Sequence, residues 1–132
     1  MFTVYTNDNG AQEPHYYPAA AAGTYQVGQL LALNADGMAE AVSKASLTTP
    51  PMLCLFSGTV QAGENIPVQY VTGDVEFETE LTAEAASAKV GSLMEVSAGG
   101  LGVDAPASGT GSFRLTYLAG TAKDSVVRGR FI

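Results

Sequence analysis

A chain of 132 residues suits one domain and can bury a core without help from a metal or a disulfide. With 46% apolar and 14% charged residues it is not disordered in composition, and so low a charge fraction suits a surface partly hidden against another subunit. A net charge of −7 argues against phosphate neutralisation, so no nucleic-acid partner is expected.

No apolar run approaches the ~20 residues of a membrane span, so no membrane association is expected. The first residues lack a basic segment followed by an apolar stretch, and no signal peptide is expected there. The single cysteine, Cys54, lies in the apolar run Met52–Phe56 and reads as a small buried hydrophobe.

Residues 1–24 differ from the rest, and Met1–Tyr17 is polar and aromatic. Asn7-Asp8-Asn9-Gly10 is a turn, and Pro14 and Pro18 bracket His15-Tyr16-Tyr17. Ala19–Ala22, closed in between Pro18 and Gly23, is too short to nucleate a helix. The pattern predicts an extended N-terminal arm over 1–24 and a single β domain over 25–132.

From Thr24 onward the hydrophobic period is two. Val27–Leu33 is apolar on both faces, as in a strand buried between layers, and Asp36-Gly37 marks a hairpin into Met38–Val42. Residues 46–51 read as a loop closed by Pro50-Pro51, followed by a buried strand over Met52–Phe56. Ile66, Val68 and Tyr70 alternate with Pro67, Gln69 and Val71, and Pro67 places that strand at an edge or at its own start. In Val75–Leu81, Val75, Phe77, Thr79 and Leu81 face inward and Glu76, Glu78 and Glu80 outward. Thr82–Lys89, with Thr82 as a cap and Ala83-Glu84-Ala85-Ala86 as helix formers, is the expected single short helix. Residues 106–111 read as a Gly/Ser loop, Phe113–Leu118 alternates again, and Val126–Ile132 closes the chain. Many short strands joined by Gly-bearing turns predict an all-β sandwich or barrel.

The chain nearly repeats itself. Val27-Gly28-Gln29-Leu30 and Val90-Gly91-Ser92-Leu93 each open an apolar stretch ending at a Gly turn, at an offset of 90 − 27 = 63 positions. Gly120-Thr121-Ala122 likewise resembles Gly58-Thr59-Val60. An internal pseudo-repeat in a compact β-fold follows.

Reactive chemistry is scarce. His15 is the sole histidine and falls in the arm, so neither a multi-His metal site nor a nucleophile–base pair is expected, and no cofactor. Gly109-Thr110-Gly111-Ser112 has no following Lys and reads as a flexible turn rather than a phosphate loop. Same-face carboxylates of Glu76, Glu78 and Glu80 lie ~6.6 Å apart along a strand, a spacing within reach of a glycosidase pair or a hard cation. A row on one exposed strand has no enclosing groove, so it reads as a solvated face that resists edge pairing, or as a surface for a partner. Arg128 and Arg130, segregated from that row in sequence, suggest an inter-subunit contact with the Glu76, Glu78 and Glu80 of a neighbouring copy.

Residues 18–33, Pro18-Ala19-Ala20-Ala21-Ala22-Gly23-Thr24-Tyr25-Gln26-Val27-Gly28-Gln29-Leu30-Leu31-Ala32-Leu33, resemble the opening of the small capsid decoration, or cement, proteins of tailed bacteriophages and prophages. Val60–Val68 is similar to that family's Ala-Gly-x-x-hydrophobic-x-Val segment, and the second Val90-Gly91 unit to its later repeat. The likeness spans residues 18–105; the arm with His15-Tyr16-Tyr17 and the ending Gly129-Arg130-Phe131-Ile132 depart from it. The resemblance implies a non-catalytic virion protein, made in the bacterial cytoplasm and docked on the major capsid protein, often as trimers. Tyr5, His15, Tyr16 and Tyr17 would then anchor the arm on the shell. The competing class is a tail- or fibre-associated or carbohydrate-binding β module.

Overall fold

A computed structural model describes residues 1–10, 14–43, 51–107 and 111–132. Among them run thirteen strands, every pair antiparallel: β1 (Thr3–Asn7), β2 (His15–Tyr16), β3 (Gly23–Tyr25), β4 (Leu30–Leu33), β5 (Ala39–Ala41), β6 (Met52–Cys54), β7 (Gly58–Val60), β8 (Val68–Tyr70), β9 (Val75–Glu80), β10 (Leu93–Val96), β11 (Val103–Asp104), β12 (Phe113–Leu118) and β13 (Val126–Phe131). They form a six-stranded sheet in the order β1-β9-β13-β12-β10-β11, a five-stranded sheet in the order β2-β8-β6-β4-β5, and the pair β3-β7. The fold is an all-β sandwich. The larger sheet does not close into a barrel, although a single parallel bridge, Leu81 to Val103, brings its far edge back to the end of β9.

The repeat seen in the sequence is a repeat of topology. Replacing β2, β4, β5, β6 and β8 by β9, β10, β11, β12 and β13 turns the order of the five-stranded sheet into that of the larger one, to which β1 is added. The hydrogen bonds repeat too. Gln29 N donates to Gln26 O (3.2 Å) and Ser92 N to Lys89 O (2.9 Å), so each Val-Gly is the middle of a tight turn. Gly28 and Gly91 take φ of 86° and 92° there, a conformation glycine adopts without steric cost. Cys54 N donates to Gln29 O (2.8 Å) in the first half, and Leu115 N to Ser92 O (2.9 Å) in the second. The parallel bridge Ala20–Ala39 matches Leu81–Val103. Gly63 at φ 90° matches Asp124 at φ 67°, with 124 − 63 = 61. Asp124 therefore holds a left-handed conformation that the first half assigns to a glycine.

The halves stack head to tail. On β4, Leu31 points into a smaller core with Ala20, Tyr25, Met52, Cys54, Ile66 and Val68. Its neighbours Leu30 and Ala32 point the other way, into the larger core that Phe77, Leu81, Met94, Val96, Phe113 and Leu115 line from the six-stranded sheet. The five-stranded sheet is thus a middle layer, apolar on both faces as the Leu30–Ala32 run predicts. The Gly99-Gly100 turn clips the halves together: Leu30 N donates to Gly100 O (2.8 Å), Gln29 Nε2 to Gly99 O (2.8 Å) and Gly99 N to Val42 O (2.7 Å). A Cβ on Gly100 would collide with the Leu30 carbonyl oxygen.

Several expectations change. The strands read as starting at Val27 and Val90 start at Leu30 and Leu93, because the Val-Gly pairs are consumed by turns. The helix expected over Thr82–Lys89 is not formed. Ala85 N donates to Thr121 O and the Thr82 hydroxyl meets the Asp104 carboxylate, so both members of the expected N-cap hydrogen bond are engaged by tertiary partners. Eight residues of good propensity do not outweigh that competition. Pro67 immediately precedes β8, a strand start as expected, with β2 and β6 on either side. Most of the loops read at 46–51 and 106–111 lies outside the described residues.

The segment expected as an arm is extended, yet it is woven into the body. Strand β1 pairs with β9, β2 pairs with β8, and Phe2 is buried at 2% exposure. Phe2 packs with Phe77, Phe113 and Phe131 at ring-centroid distances of 5.9–6.2 Å, and its N–H is held by Gly28 O at 2.8 Å. Offset and edge-to-face aromatic contacts of this kind add to plain burial. Strand β3 runs across residue 24.

Candidate interaction face

The outward face of the six-stranded sheet gathers all three arginines of the chain, Arg114, Arg128 and Arg130. Strands β12 and β13 are neighbours, and Arg114 stands directly opposite Arg130. Two irregularities aim aromatic rings at this face. In β12 the register slips between Leu115 and Tyr117, so that Tyr117 lies opposite Arg128 and is exposed, whereas strict alternation would have buried it. In β1 a matching slip between Val4 and Thr6 leaves Tyr5 as the extra residue.

The two slips place both tyrosines against one guanidinium. Arg128 Cζ lies 3.8 Å from the Tyr5 ring centroid and 4.7 Å from that of Tyr117. Its Nε donates to Glu78 Oε2 at 2.9 Å. The hydrogen bond to Glu78, ahead of the nearby tyrosines, holds the guanidinium more firmly protonated than usual. Arg130 donates to both carboxylate oxygens of Asp8 (2.7 and 3.0 Å) and approaches Glu76 at 3.9 Å, and Thr116 donates to Glu76. Bidentate guanidinium–carboxylate pairing fixes orientation as well as charge.

Glu76, Glu78, Arg128 and Arg130, expected as inter-subunit partners, already pair with one another within the chain. Arg128 and Glu78 are register partners across β13 and β9, and Arg130 reaches Glu76 from the same pair of strands. Segregation in sequence became adjacency in space because an antiparallel sheet brings the chain end beside its middle. Glu80 stays exposed at the end of β9. The acidic row does not guard an edge either, since β9 runs between β1 and β13. No group of three or more His, Cys, Asp or Glu side chains among the described residues is placed to hold a metal ion.

The remaining arm residues lie elsewhere. His15 and Tyr16 form β2 at the edge of the five-stranded sheet, and Tyr16 meets Tyr70 edge to face at 4.6 Å between ring centroids. Tyr17 is exposed beside them, and its carbonyl accepts from Asn65 Nδ2 at 2.7 Å. Tyr5 is therefore separated from His15, Tyr16 and Tyr17, on a different sheet. Cys54 is buried, with its thiol directed to Phe56 O at 3.2 Å, and burial pushes its pKa up. Such a thiol is a poor nucleophile at neutral pH. Sequence reasoning missed Tyr117 in this face, because strict alternation on β12 assigns it inward; only the bulge exposes it.

No helix among the described residues is long and apolar enough to cross a membrane. No protein-family model matches the chain, and no curated protein matches its sequence.

Proposed function

We propose that this chain is a non-catalytic structural protein of a tailed phage or prophage particle, a head decoration or cement protein docked on the major capsid protein. The observation that carries the docking reading is the Tyr5–Arg128–Tyr117 stack on the outer face of the six-stranded sheet. Tyr and Arg are the residue types that dominate protein interfaces, and here the Arg is pre-oriented by Glu78, so little conformational freedom remains to be lost on binding. The likeness of residues 18–105 to decoration proteins supplies the partner: the shell of an assembled head, with the chain residing on the virion surface after synthesis in the host cytoplasm. Many weakly held copies on one lattice, whether monomers or trimers, gain occupancy through effective concentration.

In this reading the partner surface is a sheet face rather than a detached arm. Removing residues 1–18 would take Phe2 out of the core along with Tyr5, so point variants give the cleaner test. Arg128→Ala and Tyr117→Ala should each weaken co-sedimentation with undecorated heads at least ~10-fold while far-UV circular dichroism stays unchanged. Immunogold labelling of particles should mark heads. Label confined to tails, or undiminished binding by both variants, would overturn the proposal, the first in favour of a tail- or fibre-associated module.

A further inference from the structure

The two halves solve the same packing problem differently at one position. In the first half Tyr25 immediately precedes the Gln26–Gln29 turn and is buried at 5% exposure. Its ring fills the space between the β3 segment and the sheet beside Leu31, and its hydroxyl donates to Ala21 O (2.6 Å), with Ala39 O also within reach at 3.2 Å. In the second half the residue before the matching turn Lys89–Ser92 is Ala88, with 88 − 25 = 63. Around Ala88 lies an open, mainly apolar pocket of about 270 Å³, lined by Ala85, Ala88, Leu93, Met94 and Pro106, with Glu84 among the polar residues around it. Met94 stands where Leu31 stands in the first half, since 94 − 31 = 63. The second half therefore keeps the framework of the Tyr25 site without the tyrosine.

The chain also carries one tyrosine without a site. Of its six tyrosines, Tyr25 is buried, Tyr16 and Tyr70 pack edge to face, and Tyr5 and Tyr117 cover Arg128. Tyr17 is 62% exposed, and its ring has no hydrogen bond or ring contact among the described residues. Its backbone is nonetheless held, by Asn65 on its carbonyl and by Pro18 after it, so the ring is presented on a fixed stem. Tyrosine offers large apolar area at small entropic cost, which suits a projecting anchor.

We propose that the pocket at Ala88 receives the Tyr17 side chain of a second copy of this chain. The contact is heterologous: one patch donates a ring and a different patch accepts it, so copies assemble head to tail. It is independent of the capsid reading and is tested with the purified protein alone.

The experiment uses two variants and their mixture. Ala88→Tyr fills the pocket from within, in the manner of Tyr25, and Tyr17→Ser removes the inserted ring. By sedimentation velocity each variant alone should lose the self-association of the parent. An equimolar mixture should form a 1:1 pair and nothing larger, because only Tyr17 of the first variant and the pocket of the second remain to meet. Self-association that survives in either variant, a mixture that stays monomeric, or a parent that is monomeric at millimolar concentration would overturn the proposal. Should Ala88→Tyr fail to fold, Ala88→Leu takes its place. As a readout that needs no variant, p-cresol titrated into the parent should shift the Met94 methyl resonance saturably and leave the buried Met52 methyl unmoved. An unresponsive Met94 methyl would also overturn it.

Discussion

Replacing Phe2 by alanine tests the assignment of the N-terminal segment to the core. The ring is 2% exposed and lies among Phe77, Phe113 and Phe131, at centroid distances of 5.9–6.2 Å. Burial of a phenylalanine is worth ~1.5–3 kcal/mol, and the cavity left by truncation brings Phe→Ala substitutions to ~3–5 kcal/mol. Phe2 is held at one end of the chain, where β1 has β9 as its only strand neighbour among the described residues, so the site can partly collapse and the lower bound, ~3 kcal/mol, is expected. With an unfolding entropy of ~2.1 cal/mol/K per residue over 132 residues, that loss lowers the melting temperature by ~11 °C. Urea unfolding followed by circular dichroism measures it, with Thr3→Ala, an exposed neighbour on β1, as a control expected to stay within ~0.5 kcal/mol. A loss below ~1 kcal/mol for Phe2→Ala would show that the segment lies outside the cooperative core, and would restore the independent arm.

Other outcomes follow from the repeat and the buried groups. Gly100→Ala meets both a left-handed φ of 74° and the Leu30 carbonyl, and should cost ~2–4 kcal/mol by denaturant titration, whereas Gly91→Ala, at φ 92° in open space, should cost only ~1 kcal/mol. Equal costs at the two sites would refute the clip between the halves. Asp124→Gly gives this left-handed position the residue that Gly63 supplies in the other half; relief of ~1–2 kcal/mol of strain, less the added freedom of the unfolded chain, should raise stability by ~0.5 kcal/mol. Burial raises the Cys54 thiol and Tyr25 phenol pKa values above their ordinary 9.0 and 10.0, so the folded state holds these protons longer than the unfolded chain. Their contribution is complete below pH 9 and is lost as pH rises from there through the folded-state values. Unfolding free energy measured from pH 7 to 11 should be level to about pH 9 and then fall, and Cys54→Ala should shallow the fall; a parent curve that rises above pH 9 would contradict the assignment.

Alternation made the long strands legible. Val75, Phe77, Thr79 and Leu81 are buried as the period of two predicts, because a side chain on a strand has only two faces to choose between. The helix over Thr82–Lys89 failed for the opposite reason: propensity is a local quantity, and here Asp104 and Thr121 engage the Thr82 hydroxyl and the Ala85 N–H that would have capped it. Phe2 was hidden in a polar segment, where composition gave no sign that one ring would cross into the core. In the interaction face, Tyr5 and the charged residues were visible as candidates, but their pairing within the chain was not, since it depends on β13 returning beside β9. The exposure of Tyr117 depends on a single extra residue in β12.

By itself the sequence determined the all-β class, the strand faces and the existence of two related halves, because periodicity and turn glycines act through the local backbone. Only the tertiary structure decided how the halves meet. The back of the first sheet fills the inner face of the second, the Gly99-Gly100 turn locks onto Gln29 and Leu30, and Ala88 leaves open the place that Tyr25 fills in its own half. The clip rests on contacts between residues 57 to 70 positions apart, which no local pattern encodes.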